Sequence, residues 1–302
     1  LRLLLFILKG MDQQQMYPKR LYLCGGGIKT FAHLGALEVL EAKGRLLFVK
    51  EWMGISAGAF LALCLALRFP LAELRDFFLK FDLTTIMDTD TAPGWLFHLG
   101  YDTGNKLQRL AEAFLHQKGL SSNTSFAEME AKGFLMFRTF ATNINTGTLL
   151  EFSKTKTPNY SVAQAVRASM SLPYYFQPFP CPDTGHLLCD GGVLSNYPLR
   201  YLTPEDLEET LGIQIITQNE QVEDIELHHI LMRPLRILMS EHHKLESRGY
   251  DRQTLTVHLN TINLMNLNIA MDEKLALVQK GVDAATLFVK LVQKPVRRYS
   301  VG

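Results

Sequence analysis

Cysteine is scarce in this sequence. The four present, Cys24, Cys64, Cys181 and Cys189, include no CxxC pair. That spacing excludes a zinc ribbon and a disulfide-dense scaffold, and predicts four free thiols. Charge of one sign is equally lacking: 31 Lys and Arg stand against 30 Asp and Glu. The balance gives no reason to expect nucleic acid as a partner. Long apolar runs are also absent. The N-terminal segment, residues 1–10, LRLLLFILKG, is apolar with basic flanks but far shorter than the ~20 residues a membrane-spanning helix needs. It is set apart as an N-terminal extension. No Pro/Ser-rich linker, low-complexity tract or internal repeat divides residues 11–302, which are therefore expected to form one domain.

What the chain does have is apolar content, 47% of its 302 residues, enough for a full core. Strand-like runs at RLYLC, LLFVKEWM, FLMFRTFATNI, HLLC, IQIIT and TLTVHL alternate with helical periodicity at 32–43, 57–67, 71–81, 106–116, 162–169, 224–246 and 273–291. Alternation of this kind predicts an α/β fold: a largely parallel sheet with helices on both faces and a ligand site at the carboxyl ends of the strands. The least regular stretch, 84–104, carries Trp95, Leu96 and Phe97 and reads either as a loop folded onto the core or as a lid.

Three short motifs concentrate the chemistry. The first is CGGGIKTF, Cys24 to Phe31, between a strand and a helix. A P-loop requires GxxxxGK[ST], but Ile28 separates Gly27 from Lys29; a dinucleotide fingerprint requires GxGxxG, but Thr30 holds the last position. What remains is a cluster of backbone N–H groups at a helix N-terminus, suited to negative charge, whether a phosphate or a transient oxyanion. The second motif, WMGISAGAF, places Ser56 between Gly54 and Gly58 after an apolar run and before an apolar helix. That setting is a nucleophile elbow. The third, LLCDGGVLSNYP, brings Asp190 out of a strand into a glycine turn with no adjacent cation, as a general base would require. A Ser56, Asp190, His258 triad of the α/β-hydrolase kind would follow the right chain order, but only two strands precede Ser56, fewer than that fold builds before its elbow. The pairs His228/His229 and His242/His243 sit among polar neighbours in a helical stretch and read as solvated.

GGGIK, GISAG and DGG in this order, with FATNINTGTLLEFS and AVRASMSLPYYFQPF between the last two, resemble the patatin-like phospholipase family from about Leu21 to Asp190. The resemblance implies a three-layer α/β/α sandwich and hydrolysis of lipid acyl esters by a Ser-Asp dyad without histidine, metal or cofactor. Ser56 would be the nucleophile, Asp190 the base, and Gly25, Gly26 and Gly27 the oxyanion hole, with Lys29 where the family has Arg or Lys. Thr30 departs from the family's common glycine. Phospholipid or another lipid ester would be the substrate, and the chain would be cytoplasmic or peripheral at membranes. Trp95 and Phe97, with Tyr174, Tyr175, Phe176 and Phe179, are candidate lipid contacts at the mouth of the site. A catalytically silent lipid-binding protein of the same fold is the other reading.

Overall fold

The computed structural model describes residues 17–88, 100–218, 225, 227–260 and 267–292. Residues 1–10, Trp95 and Phe97 therefore lie outside the described residues.

The main sheet has the order β10-β9-β1-β2-β4-β8-β7, with β5 on β4. The strands are β1 (Arg20–Leu23), β2 (Glu51–Gly54), β4 (Met136–Asn143), β5 (Thr148–Ser153), β7 (Phe179–Pro180), β8 (Leu187–Asp190), β9 (Thr210–Thr217) and β10 (Thr254–Leu259). A separate two-stranded sheet joins β3 (Gly100–Asp102) to β6 (Tyr174–Phe176). β10, β9, β1, β2 and β4 run parallel, whereas β5 and β8 are antiparallel to β4. All four residues of β2 and the first six of β9 are buried. Successive strand residues point to opposite faces, so both faces are covered. The cover is helical: α1 (Thr30–Ala42), α2 (Ala57–Ala66), α6 (Val162–Ser169) and α9 (Met271–Val292) all pack on the sheet. α3 (Leu71–Lys80), α4 (Asn105–Gln117), α5 (Phe126–Ala131), α7 (Pro204–Glu208) and α8 (Leu227–Glu246) complete the helices described.

At the amino ends of the central strands, buried Glu51 joins Arg20 of β1 (3.0 Å) to Arg138 of β4 (2.8 Å). That ion ladder closes one end of the sheet, and the carboxyl ends are left for the loops that carry the motifs. The expected run at 46–53 becomes a strand only from Glu51, because residues 43–48 form turns that leave Leu47 exposed. The four cysteines are free and buried. No helix among the described residues is long and apolar enough to cross a membrane.

Candidate active site

Ser56 follows β2 and caps the N-terminus of α2 with φ 55° and ψ −132°. A side chain in this left-handed region is strained, by about 1–3 kcal/mol, and such strain is characteristic of functional turns. The sequence makes the turn possible through its glycines. A Cβ on Gly54 would lie 2.4 Å from the Gly58 carbonyl oxygen, and one on Gly58 would lie 2.5 Å from the carbonyl oxygens of Leu23 and Cys24. The first turn of α2 thus presses against the end of β1, bringing the elbow beside the glycine loop. The Ser56 N–H donates to the Ser169 hydroxyl at 3.0 Å, fixing the turn from the end of α6.

Strand register brings Asp190 to the same level. Gly54 pairs with Thr139, and Asp190 pairs with Ala141, two residues further along β4. Ser56 likewise lies two residues past Gly54. Because β8 runs antiparallel, its last residue arrives at the carboxyl ends of β2 and β4 from the opposite direction. Asp190 is 2% exposed, its carboxylate lies beside the Ser56 hydroxyl, and it accepts the Gly192 N–H at 2.8 Å. Burial raises its pKa from 3.8 to about 6, against the lowering effect of the neighbouring Ser56 hydroxyl and the Gly192 N–H.

The glycine loop differs from expectation at its first residue. Gly25, expected to offer its N–H to an oxyanion, instead donates to Asn196 Oδ1 at 2.8 Å, while Asn196 Nδ2 donates back to the Gly25 carbonyl at 3.1 Å. Gly26 and Gly27 N–H donate to no protein acceptor among the described residues, and both glycines line the pocket. The Lys29 N–H closes a 3-10 turn onto the Gly26 carbonyl (3.0 Å), so only its ammonium is available to the pocket. That ammonium donates to Thr217 Oγ1 at 3.2 Å, and burial, countered by Cys24 and reinforced by Arg236, lowers its pKa to about 8.

Ser56, Asp190, Gly25, Gly26, Gly27 and Lys29 line one cavity of about 280 Å³. One of its walls is apolar. Phe60, Phe77, Phe78 and Phe81 meet ring to ring, with Phe77 and Phe81 stacked at 4.8 Å and Phe60 edge-on to Phe78 at 5.9 Å. Leu107, Leu110, Met170, Tyr175 and Phe176 extend the lining, whereas the expected Tyr174 and Phe179 are not part of it. Among the described residues no three His, Cys, Asp or Glu side chains cluster as a metal site does.

Among the described residues, neither His258 nor His243 completes a triad. His258 is exposed on edge strand β10, with β9, β1, β2 and β4 between it and β8. His243, expected to be solvated, is buried and does line the cavity, but Nε2 lies 3.2 Å from the Ile215 carbonyl and Nδ1 lies 3.6 Å from Glu246. It is buried because the Glu246 side chain also anchors the loop after Asp190, accepting the Asn196 and Tyr197 N–H groups at 3.0 and 2.9 Å and the Ser195 hydroxyl. Asn196 and Ser169 are the residues that sequence reasoning passed over. LSNYP, which places Asn196 four positions after the last glycine of the DGG turn, was the available signal for Asn196.

Known proteins share this chain's sequence family and fold. The sequence model of the patatin-like phospholipase family matches residues 21–203. The uncharacterized protein R571 of Acanthamoeba polyphaga mimivirus is 30% identical over 205 residues, 67% of either chain. The uncharacterized protein YqhO of Bacillus subtilis (strain 168) is 29% identical over 214 residues, 65% of this chain and 71% of YqhO. VipD from Legionella pneumophila shares the fold at 16% identity with a TM-score of 0.64, over 91% of this chain and 67% of VipD. ExoU from Pseudomonas aeruginosa does so at 18% identity and 0.54, over 93% of this chain and 54% of ExoU. With more than half its residues matched to the family, and the motifs that carry the match gathered around one cavity, the chain belongs to the patatin-like phospholipase family.

Proposed function

We propose that this protein hydrolyses lipid acyl esters through an acyl-enzyme formed on Ser56, with Asp190 as its general base. One observation carries the reading: the strained Ser56 stands beside a buried carboxylate and the N–H groups of Gly26 and Gly27, which have no protein acceptor among the described residues, in a cavity with a phenylalanine wall.

Ser56 Oγ attacks the ester carbonyl carbon while its proton passes to Asp190. The oxyanion accepts from the Gly26 and Gly27 N–H groups, donors already fixed in place. Collapse expels the alcohol, which takes the proton from Asp190. Water then gives a proton to Asp190 and attacks the acyl group, and the second collapse returns a proton to Ser56 Oγ and releases the fatty acid. A base at its ordinary 3.8 would hold the serine proton poorly; burial brings Asp190 to about 6, closer to a working pH near neutrality. The phenylalanine wall provides apolar surface for the acyl chain. Lys29 supplies positive charge at the polar end of the same cavity.

The test is a panel of lipid esters given to the purified chain, with products identified by mass spectrometry and Ser56→Ala in parallel. Fatty acid release that disappears in the alanine variant supports the reading. Lipid binding without release from any ester would support the silent lipid-binding reading instead.

A further inference from the structure

α8 forms one wall of the cavity through Arg233, Arg236, Ser240 and Lys244, yet part of it faces away from the protein. Ile230, Leu238 and Leu245 are 60%, 69% and 47% exposed, and Ile237 at the cavity edge is 38% exposed. Their spacings of seven and eight residues put all four within an arc of ~100° on the helix. Arg233, Arg236 and Lys244 fall on the adjoining ~80°, on the cavity side. Glu241 interrupts the apolar arc and is paired with Lys244 at 2.6 Å. Exposed single leucines are ordinary, and those of α9, Met271, Leu275, Leu287 and Leu291, are spread over ~200° of helix. α8 is different because its exposed apolar residues, among the side chains described, share one stripe, bordered by cations, at the cavity edge.

An apolar stripe flanked by Lys and Arg is the pattern of a helix lying in the plane of a lipid surface. The bordering charge selects an anionic surface over a neutral one. A second copy of this chain would cover the stripe equally well but would bring its own three cations against these. We infer that α8 docks the protein on an anionic lipid surface, with Ile230, Leu238 and Leu245 seated below the headgroups and Arg233, Arg236 and Lys244 level with them. The cavity mouth then faces the membrane. This rests on the proposed lipid substrate for its purpose, but its test does not involve hydrolysis.

The full chain carrying Ser56→Ala, which leaves the vesicles intact, is mixed with phosphatidylcholine vesicles with and without about one-third phosphatidylserine, and binding is read by sedimentation. The expected result is binding to the serine-containing vesicles that weakens in high salt and is much poorer on phosphatidylcholine alone. Adding Leu238→Ser and Leu245→Ser should reduce it at least about tenfold at an unchanged melting temperature, since each leucine loses its apolar burial. Ile230→Ser is the second variant if the double substitution does not fold. No binding to anionic vesicles, equal binding to both compositions, or binding indifferent to these substitutions overturns the proposal. So does a dimer in analytical ultracentrifugation that the substitutions dissolve, because the stripe would then belong to a second copy. Absence of ester hydrolysis by the wild-type chain, with vesicle binding intact, would instead count against the proposed function alone.

Discussion

Replacing Asp190 by asparagine should abolish turnover and stabilise the protein at the same time. The carboxylate is 2% exposed and its pKa is raised from 3.8 to about 6, chiefly by burial. A group whose pKa is raised by folding contributes stability below its unfolded pKa and loses it as pH rises through the folded value. Asp190 therefore costs nothing below about pH 4, and the penalty grows between about 4 and 6 to a plateau. The interval from 3.8 to about 6 converts to ~3 kcal/mol. An amide carries no such penalty, keeps an oxygen for the Gly192 N–H, and turns a donor toward the Ser56 hydroxyl. Chemical denaturation of wild type and Asp190→Asn at steps from pH 4 to pH 8 measures the difference, in which titrations elsewhere cancel. The variant should match wild type near pH 4 and exceed it by ~3 kcal/mol at pH 7, raising the melting temperature by about 5 °C in a chain this long, while ester turnover falls at least about 100-fold. A variant less stable than wild type at pH 7, or a gap that does not widen with pH, would refute a desolvated, ionised base.

Three further outcomes follow from the same geometry. Turnover of a soluble ester should rise with pH through about 6 as Asp190 ionises, and His258→Ala should keep both the rate and that profile, because the imidazole sits at the far edge of the sheet. Asn196→Ala removes both hydrogen bonds to Gly25; a stability loss of about 2 kcal/mol and a fall in kcat of about 10- to 100-fold, from misplaced Gly26 and Gly27 donors, are expected by denaturation and steady-state kinetics. Ser56→Gly should release elbow strain and raise stability by about 1 kcal/mol, whereas Ser56→Ala should not, since its Cβ retains the strain.

Much of this site was legible because its parts are local. Gly54, Ser56 and Gly58 encode a turn whose sterics permit few alternatives, and the glycine loop announces free N–H groups whatever surrounds it. The sheet's parallel core likewise followed from alternating strands and helices. What the sequence hid was relational. That β8 runs antiparallel, and so delivers Asp190 level with Ser56, is a matter of register rather than propensity. Gly25 spends its N–H on Asn196, 171 residues away, so three adjacent glycines do not offer three equivalent donors. The burial of His243 depends on contacts with Glu246 and Ile215 that polar neighbours along the helix conceal. The apolar run at 46–49 reads as strand because hydropathy alone does not register the turns that occupy 43–48.

The central claim, that Ser56 carries the acyl group, is tested most directly by trapping it. Wild-type protein mixed with a phospholipid is quenched in acid within milliseconds to seconds, and the peptide containing Ser56 is weighed by mass spectrometry. The account predicts an added acyl mass on Ser56 that appears before fatty acid accumulates, decays as substrate is exhausted, and is absent from Ser56→Ala. Steady release of fatty acid by the alanine variant, or an acyl group found on a different residue, would contradict it.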